Sequence, residues 1–408
     1  MIIASQVYIK RIGDLLMFGF NDHAVRHSGF SSAPRQRGRH YLAAATRLGD
    51  QLILKAKKDI DGVFWETPRD NRWCVSQGLG NGCAGILLFL LRLYQTTSDE
   101  RYQRIALAGL NRLKRTRRHP TNQSLSDFTG QTAVARVMAL ASEIFSDHRW
   151  LELAFDMSHP KPGLFRRHTT QPHLVASSVL NLLHLYRNYN EPHLRDALHA
   201  GADALEAASA AHQDHSGWAT IGLALHELAY CLDRPDLILA GDQALDRESN
   251  LSAEIGLIYV RIFQLSDSNY HRQRAEATLE VVRRNHQKAE RRLDRDFTLC
   301  SGEGVTMDLF LQAWRIWRRP EDRDMAESIG DQALMQFRTA GAYCTRGKNR
   351  ASINSPSLFH GLAGIGYGYL RLYQPQIPSA VCSGQTVPVS SVNQNTHLTA
   401  VNLTAAAS

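Results

Sequence analysis

The 408-residue chain is 43% hydrophobic, enough to bury a large core, and its length suggests two or three ordinary domains unless repeats intervene. Its 47 Lys and Arg against 39 Asp and Glu give a formal charge of +8, too thinly spread to require a nucleic-acid partner. Six cysteines (Cys74, Cys83, Cys231, Cys300, Cys344, Cys382) include no C-x-x-C pair, which argues against a disulfide framework and fits a reducing cytoplasm. Leu15 to Phe20 is too short for a signal sequence, and no apolar run reaches the ~18 residues of a membrane span.

In chain order, residues 1–37 read as an irregular leader. Arg39 to Lys58 has helical spacing and is placed to close a ring as an outer helix. The segment Gly80-Asn81-Gly82-Cys83-Ala84-Gly85-Ile86 then opens the apolar stretch Leu87 to Tyr94, and the polar break Ser98-Asp99-Glu100-Arg101 leads into a second helical pattern, Tyr102 to about Leu113. This layout of a turn and two helix-length patterns recurs at roughly 35 to 60 residues, as a helix-pair array requires. The later starts are Gly130-Gln131-Thr132, Ser177-Ser178-Val179, Ile221-Gly222-Leu223, Ile255-Gly256-Leu257, Gly302-Glu303-Gly304 and Gly361-Leu362-Ala363-Gly364-Ile365, which makes seven units.

Within several units the first helix is the more apolar (Ile86 to Tyr94, Leu180 to Tyr186, Ile365 to Tyr373), whereas the second mixes charge with apolar positions, as in Asp322 to Phe337. Inner and outer rings of helices are therefore expected, with little support for a sheet: an all-α, seven-fold α/α toroid over residues 38–378. Residues 379–408, rich in Ser, Thr, Val and Asn with almost no charge, are expected to be a disordered tail.

Two stretches carry recognisable wording: Gly78-Leu79-Gly80-Asn81-Gly82-Cys83-Ala84-Gly85-Ile86, and Ser357-Leu358-Phe359-His360-Gly361-Leu362-Ala363-Gly364-Ile365-Gly366-Tyr367 with Leu370-Arg371-Leu372. Both resemble repeats of the lanthionine synthetase C-like (LanC-like) family, and Asp59-Ile60-Asp61-Gly62-Val63-Phe64-Trp65 is similar to the lead-in of the cyclase domains of LanM-type lanthipeptide synthetases. The resemblance runs from about Arg39 to Pro378 and implies a seven-fold α/α toroid. It also implies addition of a peptide cysteine thiol to a dehydroamino acid, with the thiol activated by zinc held on two Cys and one His.

Set against that implied site, this chain departs from the family. The Cys-His-Gly motif falls on Cys300-Ser301-Gly302, and serine is not a usual zinc ligand; the other cysteine position falls on Leu251 in Ser249-Asn250-Leu251-Ser252-Ala253, and leucine binds no metal. The catalytic His-Gly turn is expected just after Gly217-Trp218-Ala219, where the chain reads Thr220-Ile221-Gly222, and a family aspartate has no counterpart in Thr170-Gln171-Pro172-His173. Cys300 reads equally as a relic thiol or a surviving ligand, with Cys344 and His360 as substitutes able to join it at the mouth. Against that, His360 reads as a turn residue, Cys344 as a loop thiol, Cys83 as a small core residue, and His212 and His215 as members of a polar loop.

Three functions follow from these readings. The first is a working cyclase of lanthipeptide biosynthesis, its basic surface attracting an acidic precursor peptide. The second is a non-catalytic pseudo-cyclase that binds a peptide or a partner lanthipeptide synthetase, with zinc weak or absent. The third is an α/α-toroid glycoside hydrolase, for which Asp127 and Glu303 are the acids near helix entrances, although capping acids are the ordinary reading.

Overall fold

A computed structural model of the chain describes residues 38–69, 72–115, 124–168, 170–210, 217–248, 251–289, 295–300, 302–343 and 355–381. Contacts divide the chain into Met1–His40 and a body, Tyr41–Ser408; of the first unit only the residues opening helix α1 are described. The leader 1–37 and the chain beyond 381 lie outside the described residues.

After α1 (Arg39–Lys55) come two hairpins, β1 (Lys57–Asp59) with β2 (Gly62–Phe64) and β3 (Thr67–Arg69) with β4 (Arg72–Cys74). Each strand is three residues long, too short for the alternation that marks strands in a sequence. The Asp59-Ile60-Asp61-Gly62 turn is fixed by its own chemistry. Asp59 Oδ1 accepts from the backbone N–H groups of Asp61 and Gly62 at 3.0 Å, and Gly62 has φ +141°, a conformation that side chains rarely adopt. Trp65 then drops into the core and donates its indole N–H to the Leu52 carbonyl at 2.8 Å.

Thirteen further helices follow among the described residues: α2 (Cys83–Thr97), α3 (Glu100–Arg115), α4 (Leu125–Phe145), α5 (Arg149–Met157), α6 (Pro172–Tyr189), α7 (Pro192–Ala210), α8 (Trp218–Leu232), α9 (Asp236–Asp246), α10 (Ala253–Ser266), α11 (Asn269–Ala289), α12 (Glu303–Trp317), α13 (Pro320–Ala340) and α14 (Leu362–Tyr373). Even-numbered helices form the inner ring. Each packs on the next, α2 to α4 and so on to α14, and α14 returns to α2, so the ring of seven is closed. The odd-numbered helices α3 to α13 pack outside their inner partners.

α1 is the seventh outer helix. Tyr41 stacks on Tyr369 of α14 and donates to Asp331 of α13 at 2.9 Å, while Tyr102 of α3 reaches back to Asp50 at 2.8 Å. The expected all-α, seven-fold α/α toroid is the observed fold.

One local device repeats around the ring. Six inner helices end on a left-handed residue, Ser98, Ser146, Asn190, Asp233, Asp267 and Arg318, with φ between 51° and 58°. The N–H of each cap bonds the carbonyl four residues back. Four residues after each cap a buried side chain (Tyr102, Trp150, Leu194, Leu237, His271, Asp322) pins the start of the outer helix. The inner helices are buried nearly all round, as Cys83 to Leu93 of α2 shows, whereas α3 buries one stripe.

Two helices begin five residues before the starts read from the sequence. α4 starts after Ser124, whose hydroxyl accepts from the Asp127 N–H, and α6 starts at Pro172, so Gly130 and Ser177 lie inside helices. At the other end the body extends beyond 378: Ser379 and Ala380 are buried, and Arg371 donates to the Ile377 carbonyl at 3.0 Å.

Candidate functional site at the toroid mouth

The N-termini of the inner helices gather at one mouth. Before α2, α12 and α14 the chain folds back over the helix start: Cys83 N–H bonds Ser76 O, Glu303 N–H bonds Asp296 O, and Leu362 N–H bonds Ser355 O, at 2.7 to 2.8 Å. A Cβ on Gly364 would lie 1.7 Å from the Leu358 carbonyl oxygen, so the crossing excludes any side chain there. Backbone bonds of 2.9 Å then join the three turns, Phe359 N–H to Gly80 O and Cys300 N–H to Phe359 O.

This places Cys300 beside the Phe359-His360 turn, so two of the three substitute ligands share the mouth. Cys344, Ser301, His212 and His215 lie outside the described residues. Cys83 is buried, within 3.7 Å of the Trp65 carbonyl, and burial pushes its thiol upward, as befits a core residue rather than a nucleophile. Leu251 directly precedes Ser252, whose hydroxyl caps α10 by accepting from the Ile255 N–H. Thr220 to Gly222 fall inside α8, which begins at Trp218 against the Arg247 guanidinium, 4.1 Å from the indole centroid.

The acids considered for glycosyl chemistry have structural partners. Glu303 is held by Arg295 at 2.7 Å and His286 at 2.8 Å; burial raises its pKa, and these two bonds outweigh burial and hold it below the usual range. Asp127 accepts from the Ser124 hydroxyl at 2.6 Å in the first turn of α4.

At the positions that the resemblance implies for the family's zinc, the chain offers one thiol, Cys300, with Leu251 and Ser301 at the other two. Such a set does not fit a three-ligand zinc site. Among the described residues one group has metal-ligand spacing, and it lies elsewhere: His226 (α8), Asp242 (α9) and His271 (α11), with ligand atoms within 4.8 Å of one another. Asp242 Oδ1 lies 3.1 Å from His226 Nε2 and 2.9 Å from His271 Nε2. Burial raises the Asp242 pKa, but the two imidazole bonds outweigh it and keep the carboxyl well below its usual range. His271 stands four residues after the cap, where four of the other five repeats place Tyr, Trp or Leu, and that register was the available sequence signal for the trio.

The closed double ring of helices defines the protein as an α/α toroid. The family model "Lanthionine synthetase C-like protein" matches residues 74–160 and 252–382, more than half of the chain, and the chain belongs to that family. No curated protein matches it. Among solved structures it is similar to an inactive variant of the α-1,6-mannanase GH76A of Salegentibacter sp. HEL1_6 in complex with α-1,6-mannotriose, at 12% identity and TM-score 0.43 over 85% of this chain and 100% of that one. A second structure of the same mannanase gives 11% identity and TM-score 0.40 over 84% of this chain and 98% of that one. No helix among the described residues is long and apolar enough to cross a membrane.

Proposed function

We propose that this LanC-like toroid serves lanthipeptide biosynthesis by binding a precursor peptide, or a partner synthetase, at its mouth without carrying out the zinc-dependent thiol addition. What supports this reading is the donor set that the resemblance implies: the turns before α2, α12 and α14 are tied together, while Leu251 and Ser301 fall at two of the three implied ligand positions. One thiol cannot fix a metal with an open position for substrate. Without the metal a peptide thiol keeps its ordinary pKa near 8.5 and is mostly protonated at neutral pH. The chain's own residues then supply a basic surface and a rigid rim, which suit recognition of an acidic peptide in a cytoplasmic setting.

The test pairs zinc content with peptide chemistry, for the natural chain and Cys300→Ala. A model peptide containing one dehydroalanine and one cysteine is expected to bind both forms and keep its alkylatable thiol, with neither form holding stoichiometric zinc. Near-stoichiometric zinc that disappears in Cys300→Ala, together with consumption of the thiol, overturns the reading in favour of a working cyclase.

A further inference from the structure

The left-handed caps give the inner helices a common register, and one position in that register converges on the axis. Six residues before the cap stand Arg92, Leu140, His184, Glu227, Arg261 and Gln312, and the repeated Leu-Arg-Leu-Tyr-Gln wording places Arg371 of α14 in the same layer. Six of the seven are polar, in helices that are otherwise apolar toward the core. Arg136 stands one turn above Leu140, Arg187 one turn below His184, and Asp308 one turn above Gln312. This girdle holds the five arginines 92, 136, 187, 261 and 371 against two carboxylates, with Arg315 adding a further half-buried cation beside Gln312.

The two carboxylates lie on one side. Glu227, fully buried, takes both Arg261 (2.6 Å) and Arg187. Asp308 pairs with Arg371, which also donates to Gln312 at 3.2 Å. The other side, formed by α2, α4 and α6, carries cations and no acid. Arg136 is 5% exposed and Arg92 8%; Nη1 of Arg136, Nε of Arg92 and Nδ1 of His184 are buried with no hydrogen-bond partner. Arg92 bonds Gln95 at 2.8 Å and the phenol of Tyr367, both neutral groups, and neither takes its Nε.

The contact of Asn181 with Thr132, at 3.4 Å, sits one turn above His184 and Arg136 and holds α6 against α4 at this level. Tyr367 of α14 lies within electrostatic reach of both Arg92 and Arg136. Burial beside these arginines keeps His184 neutral, and Arg136, pulled down by burial to about 10, is still a cation at neutral pH.

Two adjacent buried guanidiniums with vacant N–H groups are an unstable arrangement unless an anion completes it. We propose that the girdle binds a small oxyanion, of the phosphate or carboxylate class, between α2, α4 and α6, held by Arg92 and Arg136. The planar N–H forks of arginine match such an anion, and the burial of both side chains limits the ligand to a few atoms.

The experiment follows the melting temperature of the full chain as inorganic phosphate replaces a bulky organic sulfonate at constant ionic strength. The natural chain is expected to show a saturable rise of about 2–5 °C at phosphate well above its dissociation constant. Arg136→Met is expected to lose that rise, and the surface variant Arg149→Ala to keep it. Should Arg136→Met fail to fold, Arg92→Gln is read in the same way. No saturable response in the natural chain, or an equal response in the girdle variant, overturns the proposal and leaves water as the partner of these groups.

Discussion

At the scale of single residues the mouth is built from backbone crossings that only glycine permits, and the two kinds of glycine separate cleanly. Gly364 lies under the Leu358 carbonyl with no room for a methyl group, whereas Gly130 sits inside α4 with its nearest neighbour 3.8 Å from a Cβ position. Gly364→Ala is expected to cost about 3 kcal/mol by overpacking, because backbone rather than a flexible side chain must move. Gly130→Ala, freed of glycine's excess conformational entropy in a helix interior, is expected to gain ~0.5–1 kcal/mol. Urea midpoints at unchanged slope read both signs, and a neutral Gly364→Ala contradicts the crossing.

At the scale of elements, α1, α13 and α14 meet in a tyrosine seam, Tyr41 stacked on Tyr369 at 6.0 Å and Tyr343 at 5.9 Å from the same ring. Burial, and then the neighbouring Tyr343, raise the Tyr369 phenol well above its ordinary value of 10. A raised phenol keeps its proton in the folded chain where the unfolded chain has lost it. The seam's contribution is therefore complete below about pH 10 and falls away as pH rises toward the folded value. Tyr369→Phe removes that slope: between pH 8 and pH 11 its urea midpoint is expected to fall less than that of the natural chain, and parallel curves refute the linkage.

Element type was legible because the apolar runs keep helical period and the pairs repeat. Starts at glycine were less so, since Gly130 is tolerated within a helix while Ser124 and Pro172 are the actual start signals. The reading of Leu251 and Ser301 at implied ligand positions rests on the motif wording beside them. The girdle was not, because a single Arg, His or Glu in an apolar run looks incidental until the caps supply a register.

At the scale of the whole molecule, closure of the inner ring fixes which helix N-termini are neighbours, and this makes the proposed loss of a metal site at the mouth testable by restoring ligands. α10 and α12 pack directly, and a Cβ on Gly256 would stand 2.8 Å from Leu309, so their axes run close along the upper half of both helices. Leu251 precedes the first of these helices, and Cys300 with Ser301 precedes the second. Cys300 is further tied to the Phe359 turn by its backbone N–H. If the ring alone holds these ends in place, restoring ligand chemistry is enough to restore the metal. The double variant Leu251→Cys with Ser301→His is expected to bind about one zinc per chain with chelator-resistant affinity. Each single substitution, with at most two of the three donors in place, is expected to bind far less. Adding Cys300→Ala to the double variant is expected to abolish the gain, which ties the metal to this site rather than to His226, Asp242 and His271. Zinc content after exhaustive dialysis is the measurement. A double variant that holds no more zinc than the natural chain means that the mouth does not have the ligand geometry that the resemblance implies.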